Sequence, residues 1–410
     1  MKKRLVYLVA AVCTGSFLYF RGWAVSGIAQ VQASAAANPD ELTLLRVEGN
    51  TALYNLDYQK AREMFTQMTR DAPNNPAGYV YLANNLWLET LNHSRRLSTS
   101  LYSSDSFYVQ TQESDVTDRG RDRQFNAYIE QALAVCAELL KKNPNDTEAL
   151  YYRGSALGLS AGYKATVGRS FRGAIWDANK SIQIQREVLK LDPNYYDAYL
   201  SVGLYEYVID SLPLPWRVLA RLAGLKGSKE RGIQELETVV QQGKYASDDA
   251  RVVLVGIYGR EKRNDLALGQ LDALAAKYPQ NYLIGIEHAR MLYLNGRRDQ
   301  ANEAFQAILN DPHISAEATD LVCYQWGETL FAGVDFAAAV ARYRQVISWP
   351  RSEASLVSLS HLHAGEALDL AGKREEALAE YRAVLARDNV FDSHDLAHQY
   401  TKAPYERKAH

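Results

Sequence analysis

From about residue 42 to 388 the apolar positions fall three and four apart, so the chain reads as helix after helix with little strand-like alternation. A longer rhythm overlies that one. A small residue is followed four positions on by an aromatic or large aliphatic one, then three further by another apolar residue, with proline a turn or two later. The best copies are Ala61, Phe65, Met68, Pro73; Ala267, Leu271, Leu274, Pro279; Ala301, Phe305, Ile308, Pro312; and Ala377, Tyr381, Val384. They recur at a spacing of about 34 residues, and each marks the second helix of a pair. The complementary first helices show Tyr79, Leu82, Ala83 and Leu86, or Gly365 and Leu368 ahead of a turn glycine, Gly372; Gly296 takes the same turn after Leu292. One such pair cannot bury its apolar face alone, so neighbours must stack into a continuous core.

These motifs resemble the tetratricopeptide-repeat (TPR) superfamily over nearly the whole chain beyond the first 40 or so residues. The resemblance implies an all-α fold, a right-handed superhelical solenoid of about eight helix pairs. The pairs are expected near 42–75, 76–146, 147–194, 195–246, 247–280, 281–314, 316–352 and 355–388, with a polar tail over 389–410. Some copies depart from the pattern. Cys136 stands at the aromatic position, Gly232 replaces the small alanine, and the third pair keeps only Val188, Leu189, Leu191 and Pro193.

Three interruptions fall at the same place, between the two helices of units two, three and four. The first, about 95–123, is rich in Ser, Thr, Asp and Tyr; the second, about 162–177, carries Lys164, Arg169, Arg172 and Trp176; the third, about 211–229, holds Pro213 and Pro215 and a basic apolar run. Equivalent loops of a solenoid share one edge, so the inserts are expected to gather along one side. Residues 203–236 also resemble a stretch in the inclusion body clearance group of TPR proteins, through Gly203, Ser211-Leu212-Pro213, Leu222, Gly224, Gly227, Glu230-Arg231-Gly232 and Leu236. That likeness supports a non-enzymatic repeat protein with a specialised insert.

Charge narrows the partners. With 46 basic and 48 acidic residues there is no basic footprint for nucleic acid. The start of the chain sets Lys2, Lys3 and Arg4 before an apolar run from Leu5 to Phe20 and small residues through Ala37, the form of a bacterial export signal over 1–37. It implies a periplasmic or envelope-associated protein, with a retained leader as the route to membrane anchoring. Cys136 and Cys323, the two cysteines beyond the leader, sit at apolar helix positions in separate repeats and read as buried small hydrophobes.

Recognition chemistry is expected on the first helices, which line the inner groove. Arg46, Asn50 and Asn84 occupy the positions with which peptide-clamping members of the superfamily hold a carboxylate, and a carboxamide donates and accepts at once. The third unit offers Tyr151 and Ser155 there in place of cations, which leaves half the positive charge missing. Tyr207 belongs to a dense tyrosine group on the fourth unit's first helix and is the last groove candidate. In the third insert Trp216 to Leu225 forms a short helix, with Trp216, Leu219, Leu222 and Ala223 on one face and Arg217, Arg221 and Lys226 on its flank; packing of that face onto the protein is the expectation, and a membrane surface the alternative. No cofactor is implied, since Gly227-Ser-Lys has the wrong order for a phosphate loop and no nucleophile elbow occurs. His394 and His398 lie one helical turn apart, but the intervening residues lack the glutamate of a zinc protease. The sequence therefore reads as a non-enzymatic protein- or peptide-binding scaffold or adaptor at the bacterial cell envelope, with a membrane-surface module using the leader and the basic insert 213–226 as the alternative and a metal-dependent enzyme using His394 and His398 as the weaker one.

Overall fold

The computed structural model describes residues 39–93, 118–168, 170–222 and 224–407. The leader, most of the first insert and Arg169 lie outside them. The regular elements among the described residues are helical, and they fall into two compact units, one through Leu254 and one from Val255 onward.

The first unit runs α1 (Pro39–Tyr54), α2 (Tyr58–Asp71), α3 (Ala77–His93), α4 (Arg119–Lys142), α5 (Thr147–Thr166), α6 (Phe171–Leu191), a 3-10 turn (Tyr196–Ala198), α7 (Tyr199–Asp210), α8 (Leu214–Leu222) and α9 (Lys229–Gln242). Helix α10 (Ser247–Arg260) crosses the boundary. The second unit continues with α11 (Asn264–Lys277), α12 (Tyr282–Leu294), α13 (Arg298–Asn310), α14 (Pro312–Ala332), α15 (Phe336–Ser348), α16 (Ala354–Leu370), α17 (Arg374–Leu385) and α18 (Ser393–Lys402).

One contact recurs in three of the regular hairpins. Phe65, Tyr343 and Tyr381 on second helices are fully buried, and each ring lies on a glycine of the preceding first helix, sixteen positions back. A Cβ at Gly49, Gly327 or Gly365 would stand 2.4, 2.6 or 2.4 Å from that ring, so only glycine admits it. The turn is equally repetitive. Leu56, Lys262, Gly296, Val334 and Gly372 all take positive φ, and the next residue donates its N–H back across the helix end, as Asp57 does to Ala52 at 2.9 Å and Lys373 to Leu368 at 2.8 Å. Such six-to-one bonds satisfy carbonyls that the helix end would otherwise leave open. Asp57 and Asp335 then cap the second helix, accepting from Lys60 N at 3.0 Å and Ala338 N at 3.2 Å.

The hairpins of units three and four are held differently. Residues 162–177, expected as an insert, are mostly helix: α5 runs on to Thr166 and α6 starts at Phe171. Polar locks pay for the length. Buried Asp177 accepts from Ser160 Oγ at 2.7 Å and Lys164 Nζ at 2.5 Å, Ser181 Oγ donates to Gly154 O at 2.7 Å, and Gln185 Nε2 to Tyr151 O at 3.1 Å.

In the fourth unit α7 and α9 cross backbone to backbone, since a Cβ on Gly232 would sit 2.5 Å from Gly203 O and one on Gly227 2.4 Å from Glu206 O. Buried Glu206 is gripped there by Arg186 at 3.0 Å and by Arg231. The glycine and arginine elements of the local resemblance over 203–236 are thus structural residues of this crossing. Helix α18 packs Leu396, Ala397 and Tyr400 against Tyr381 and Val384, so the expected polar tail begins as a helix covering the last apolar face.

Candidate functional site

In the first unit the first helices and the turns that precede them bring together residues far apart in sequence. Arg46 on α1 places its guanidinium 3.8 Å from the ring centre of Tyr245, which also receives Lys244 Nζ at 4.9 Å. Tyr54, at the end of α1, donates its hydroxyl to Asp249 at the start of α10, a contact spanning 195 positions. Tyr151 packs on Tyr152 and Tyr195 with ring centres 5.2 and 4.9 Å apart. Burial pushes the Tyr81, Tyr151, Tyr152 and Tyr195 hydroxyls above the usual phenol range, so they are neutral donors at any physiological pH.

Asp249 is reached by water yet crowded by protein, and burial raises its carboxyl to about 6 against the opposing hydrogen bond from Tyr54. Asp197 builds the floor. From the 3-10 turn its Oδ1 accepts from Tyr245 N and Ala246 N at 2.8 Å each and its Oδ2 from Lys244 N at 3.2 Å, which fixes Tyr245 in place. The result is a tyrosine-rich surface on which the Arg46 guanidinium and Lys244 ammonium lie over Tyr245, with the Asp249 carboxylate beside Tyr54.

The sequence-predicted groove residues divide on this surface. Arg46, Asn50 and Asn84 are half-buried on α1 and α3, with Arg46 committed to Tyr245. Tyr151 is buried, and Ser155 is turned back on its own helix, donating to Tyr151 O at 2.9 Å. Tyr207 is a correction: it is 2% exposed, because the Gly203–Gly232 crossing brings α9 directly onto its face of α7. Tyr54, Tyr81, Tyr152, Tyr245, Asp197 and Asp249 went unnoticed in the sequence. The tyrosine count of 27 was a signal, but no local spacing points from residue 54 to residue 249.

Helix α8 also differs from expectation. Ala220 is buried and Trp216 and Arg217 half-buried, while Leu214, Val218, Leu219 and Leu222 face water, Leu222 at 80% exposure. The expected packing of Leu219 and Leu222 is therefore reversed: Asp210 sets the helix's rotation by receiving Arg217 Nη1 on its carbonyl at 3.1 Å and its carboxylate at 3.4 Å, with Arg221 at 3.9 Å.

Other chemistry is occupied or inert. Burial pushes the Cys136 and Cys323 thiols up to about 12 and 11, where they are poor nucleophiles. The Nε2 atom of His394 lies 2.9 Å from Arg387 O, and among the described residues no group of three His, Cys, Asp or Glu is arranged around a metal position. No described helix is long and apolar enough to cross a membrane.

No family profile and no curated relative match the chain. Among solved structures it is similar to yeast Tom70 (12% identity, TM-score 0.38, 89% of each chain covered). It is also similar to a TPR protein of Parabacteroides merdae (13%, 0.32, 78% of this chain and 98% of that one) and to a human IFIT1 dimer with PPP-AAAA (14%, 0.30, 85% and 95%). Such low superposition carries nothing about partner or activity. The hairpins themselves, with their glycine–aromatic contacts and repeated left-handed turns, define the class: each unit is all-α and built of successive helix pairs, the fold that the sequence resemblance implies.

Proposed function

We propose that the protein is a non-enzymatic scaffold that binds polypeptide on the tyrosine-rich surface of its first unit. The observation that carries this reading is the convergence of Arg46, Tyr54, Tyr81, Tyr195, Tyr245 and Asp249 from α1, α3, α10 and two turns onto one surface, over buried Tyr151 and Tyr152. Rigid amphipathic rings supply contact area at little entropic cost, and Asn50 and Asn84 supply paired donors and acceptors for a backbone. Because Arg46 and Lys244 already lie over Tyr245 and Asp249 is met by the Tyr54 hydroxyl rather than by a cation, the surface suits a segment bearing a cation better than a terminal carboxylate.

The test is capture by crosslinking in the native envelope, repeated with Asn50→Ala/Asn84→Ala and with Asp249→Asn. Each variant is expected to keep its helix content and lose capture by about tenfold, roughly 1.4 kcal/mol. Undiminished capture by both would overturn the assignment.

The export-type pattern of residues 1–37 supports a reading in which this scaffold works in the periplasm or at the cell envelope. N-terminal sequencing of the mature protein decides between a cleaved start near Ala36 or Asn38 and a retained anchor beginning at Met1.

A second reading rests on α8, whose exposed Leu214, Val218, Leu219 and Leu222 lie beside Arg221 and Lys226. On it the protein is a membrane-surface module, and Leu219→Glu/Leu222→Glu abolishes binding to anionic vesicles. Absence of vesicle binding by the parent removes that reading.

A further inference from the structure

In the second unit the segment after α18 does not leave the protein. Ala403 is extended (φ −140°, ψ 142°), and Ala403–Arg407 runs without regular structure across the ends of α14 and α16. The Tyr405 backbone N–H donates to Asp369 Oδ2 at 2.8 Å. Asp369 is held rigid for that purpose: its side chain is fully buried, Arg374 Nη1 reaches both its oxygens at 2.9 Å, and Tyr381 donates its hydroxyl at 2.8 Å.

Two residues on, the Arg407 guanidinium donates to Ala332 O at 3.1 Å, at the negative end of α14, and lies 6.0 Å from the Phe331 ring centre. The Tyr405 ring sits between Phe331 and Tyr400, 6.4 and 5.2 Å from their centres. A helix-borne carboxylate reading the main chain of an extended segment, with an aromatic slot and a cation seat beside it, is the form of a peptide-binding surface.

One group beneath this segment is unused. Glu366 on α16 is 8% exposed, and no described donor hydrogen-bonds it. Burial raises its carboxyl to about 7, opposed by His363. The neighbouring carboxylate is satisfied by contrast, since Glu328 accepts from His363 Nδ1 at 2.5 Å and from the Tyr343 hydroxyl at 2.6 Å. Among the described residues the segment is held beyond Lys402 by the Tyr405 N–H and Arg407 hydrogen bonds, by ring packing and by the Arg407–Phe331 contact, with Pro404 keeping it extended.

We propose that the ends of α14 and α16 form a recognition surface for an extended polypeptide carrying an aromatic residue followed two positions later by a cation. Ala403–Arg407 is its resident occupant, displaced by a partner segment of the same chemistry. This surface belongs wholly to the second unit and stands or falls independently of the one on the first.

The probe is a fluorescent peptide with the sequence of residues 402–407, Lys-Ala-Pro-Tyr-Glu-Arg, titrated by anisotropy against the full chain and against its Tyr405→Ala/Arg407→Ala variant. Emptying the surface is expected to tighten peptide binding at least about tenfold, roughly 1.4 kcal/mol, with a scrambled peptide left unbound. Equal binding to parent and variant, equal binding of the scrambled peptide, or no binding to either chain overturns the proposal. Should the double variant misfold, amide exchange in the parent decides. The Tyr405 N–H is expected to be protected and to lose that protection when the peptide is added in excess; free exchange in the parent, or protection unmoved by the peptide, refutes the resident-occupant assignment.

Discussion

The hairpins α14/α15 and α16/α17 are fastened by a ring lying on a glycine, whereas α5/α6 and α7/α9 are fastened by buried polar side chains: Asp177, Ser181 and Gln185 in one, Glu206 in the other. The first device depends on a ring and a glycine at fixed spacing, with the Tyr343 and Tyr381 hydroxyls donating to Glu328 and Asp369 of the same hairpins. The second depends on each partner finding its atom, and in exchange it holds longer helices together and allows the chain to place an extra helix, α8, between α7 and α9. Regular pairs are thus built for stacking, and irregular ones for carrying surface features.

The contrast predicts an order of sensitivities. Removing a ring should hurt most: Phe65→Ala, at a side chain with no exposure, is expected to cost about 3 to 5 kcal/mol. A loss below about 1 kcal/mol in chemical denaturation would show that the glycine contact is incidental. Next comes the floor of the first surface, where Asp197→Ala strands the N–H groups of Lys244, Tyr245 and Ala246 and is expected to cost about 3 kcal/mol. Amide exchange at those residues separates a local effect from global unfolding.

The pH dependence of the second unit is the third handle. Glu366 holds its proton to about 7 where an ordinary carboxyl lets go near 4.5, and beside Glu328 the His363 imidazolium persists to about 9 against an ordinary 6.5. Both folded values are raised, so the folded chain binds more protons than the unfolded one. The Glu366 contribution is complete below 4.5 and lost as pH rises through 7; that of His363 is complete below 6.5 and lost through 9. Glu328, held below its ordinary value because His363 and Tyr343 outweigh its burial, acts in the opposite sense at acid pH. Thermal midpoints should fall from pH 5 to 9, and Glu366→Gln should flatten the lower half by on the order of 2 kcal/mol. An unchanged profile in that variant would assign the slope to other groups.

Smaller effects probe the turns and α8. Val334 is a β-branched residue at φ 68° where Gly296 and Gly372 serve the equivalent turns, so Val334→Gly is expected to stabilise by about 1 kcal/mol after the added chain entropy is counted. Loss of stability there would mean that the valine side chain packs more than its 59% exposure implies. Leu222→Ala should change stability by less than about 0.5 kcal/mol, because the side chain faces water. A larger loss would restore the packing that the sequence pattern suggested.

Legibility followed the range of the interaction. The helix pairs were readable because Ala61, Phe65 and Met68 repeat a pattern set within one helix, and the turns because Gly296 and Gly372 mark them. Asn50 and Asn84 could be placed on first helices by counting from Ala61. Tyr207 could not be placed correctly, since its burial comes from Gly232, on a helix reached only after α8. Residues 162–177 read as an insert carrying Lys164, Arg169, Arg172 and Trp176, yet Asp177 and Gln185 supply hydrogen bonds that hold two long helices together there.

The sequence by itself determined an all-α repeat fold, the alternation of first and second helices and the residues that cap and turn them, because each of these is decided within a span of about one repeat. Only the tertiary structure decided that Tyr54 meets Asp249, that Glu366 is buried with no donor among the described residues, and that the leucines of α8 face outward. Those outcomes depend on how neighbouring hairpins rotate as they stack, a quantity summed over many side-chain contacts and carried by no single spacing in the chain.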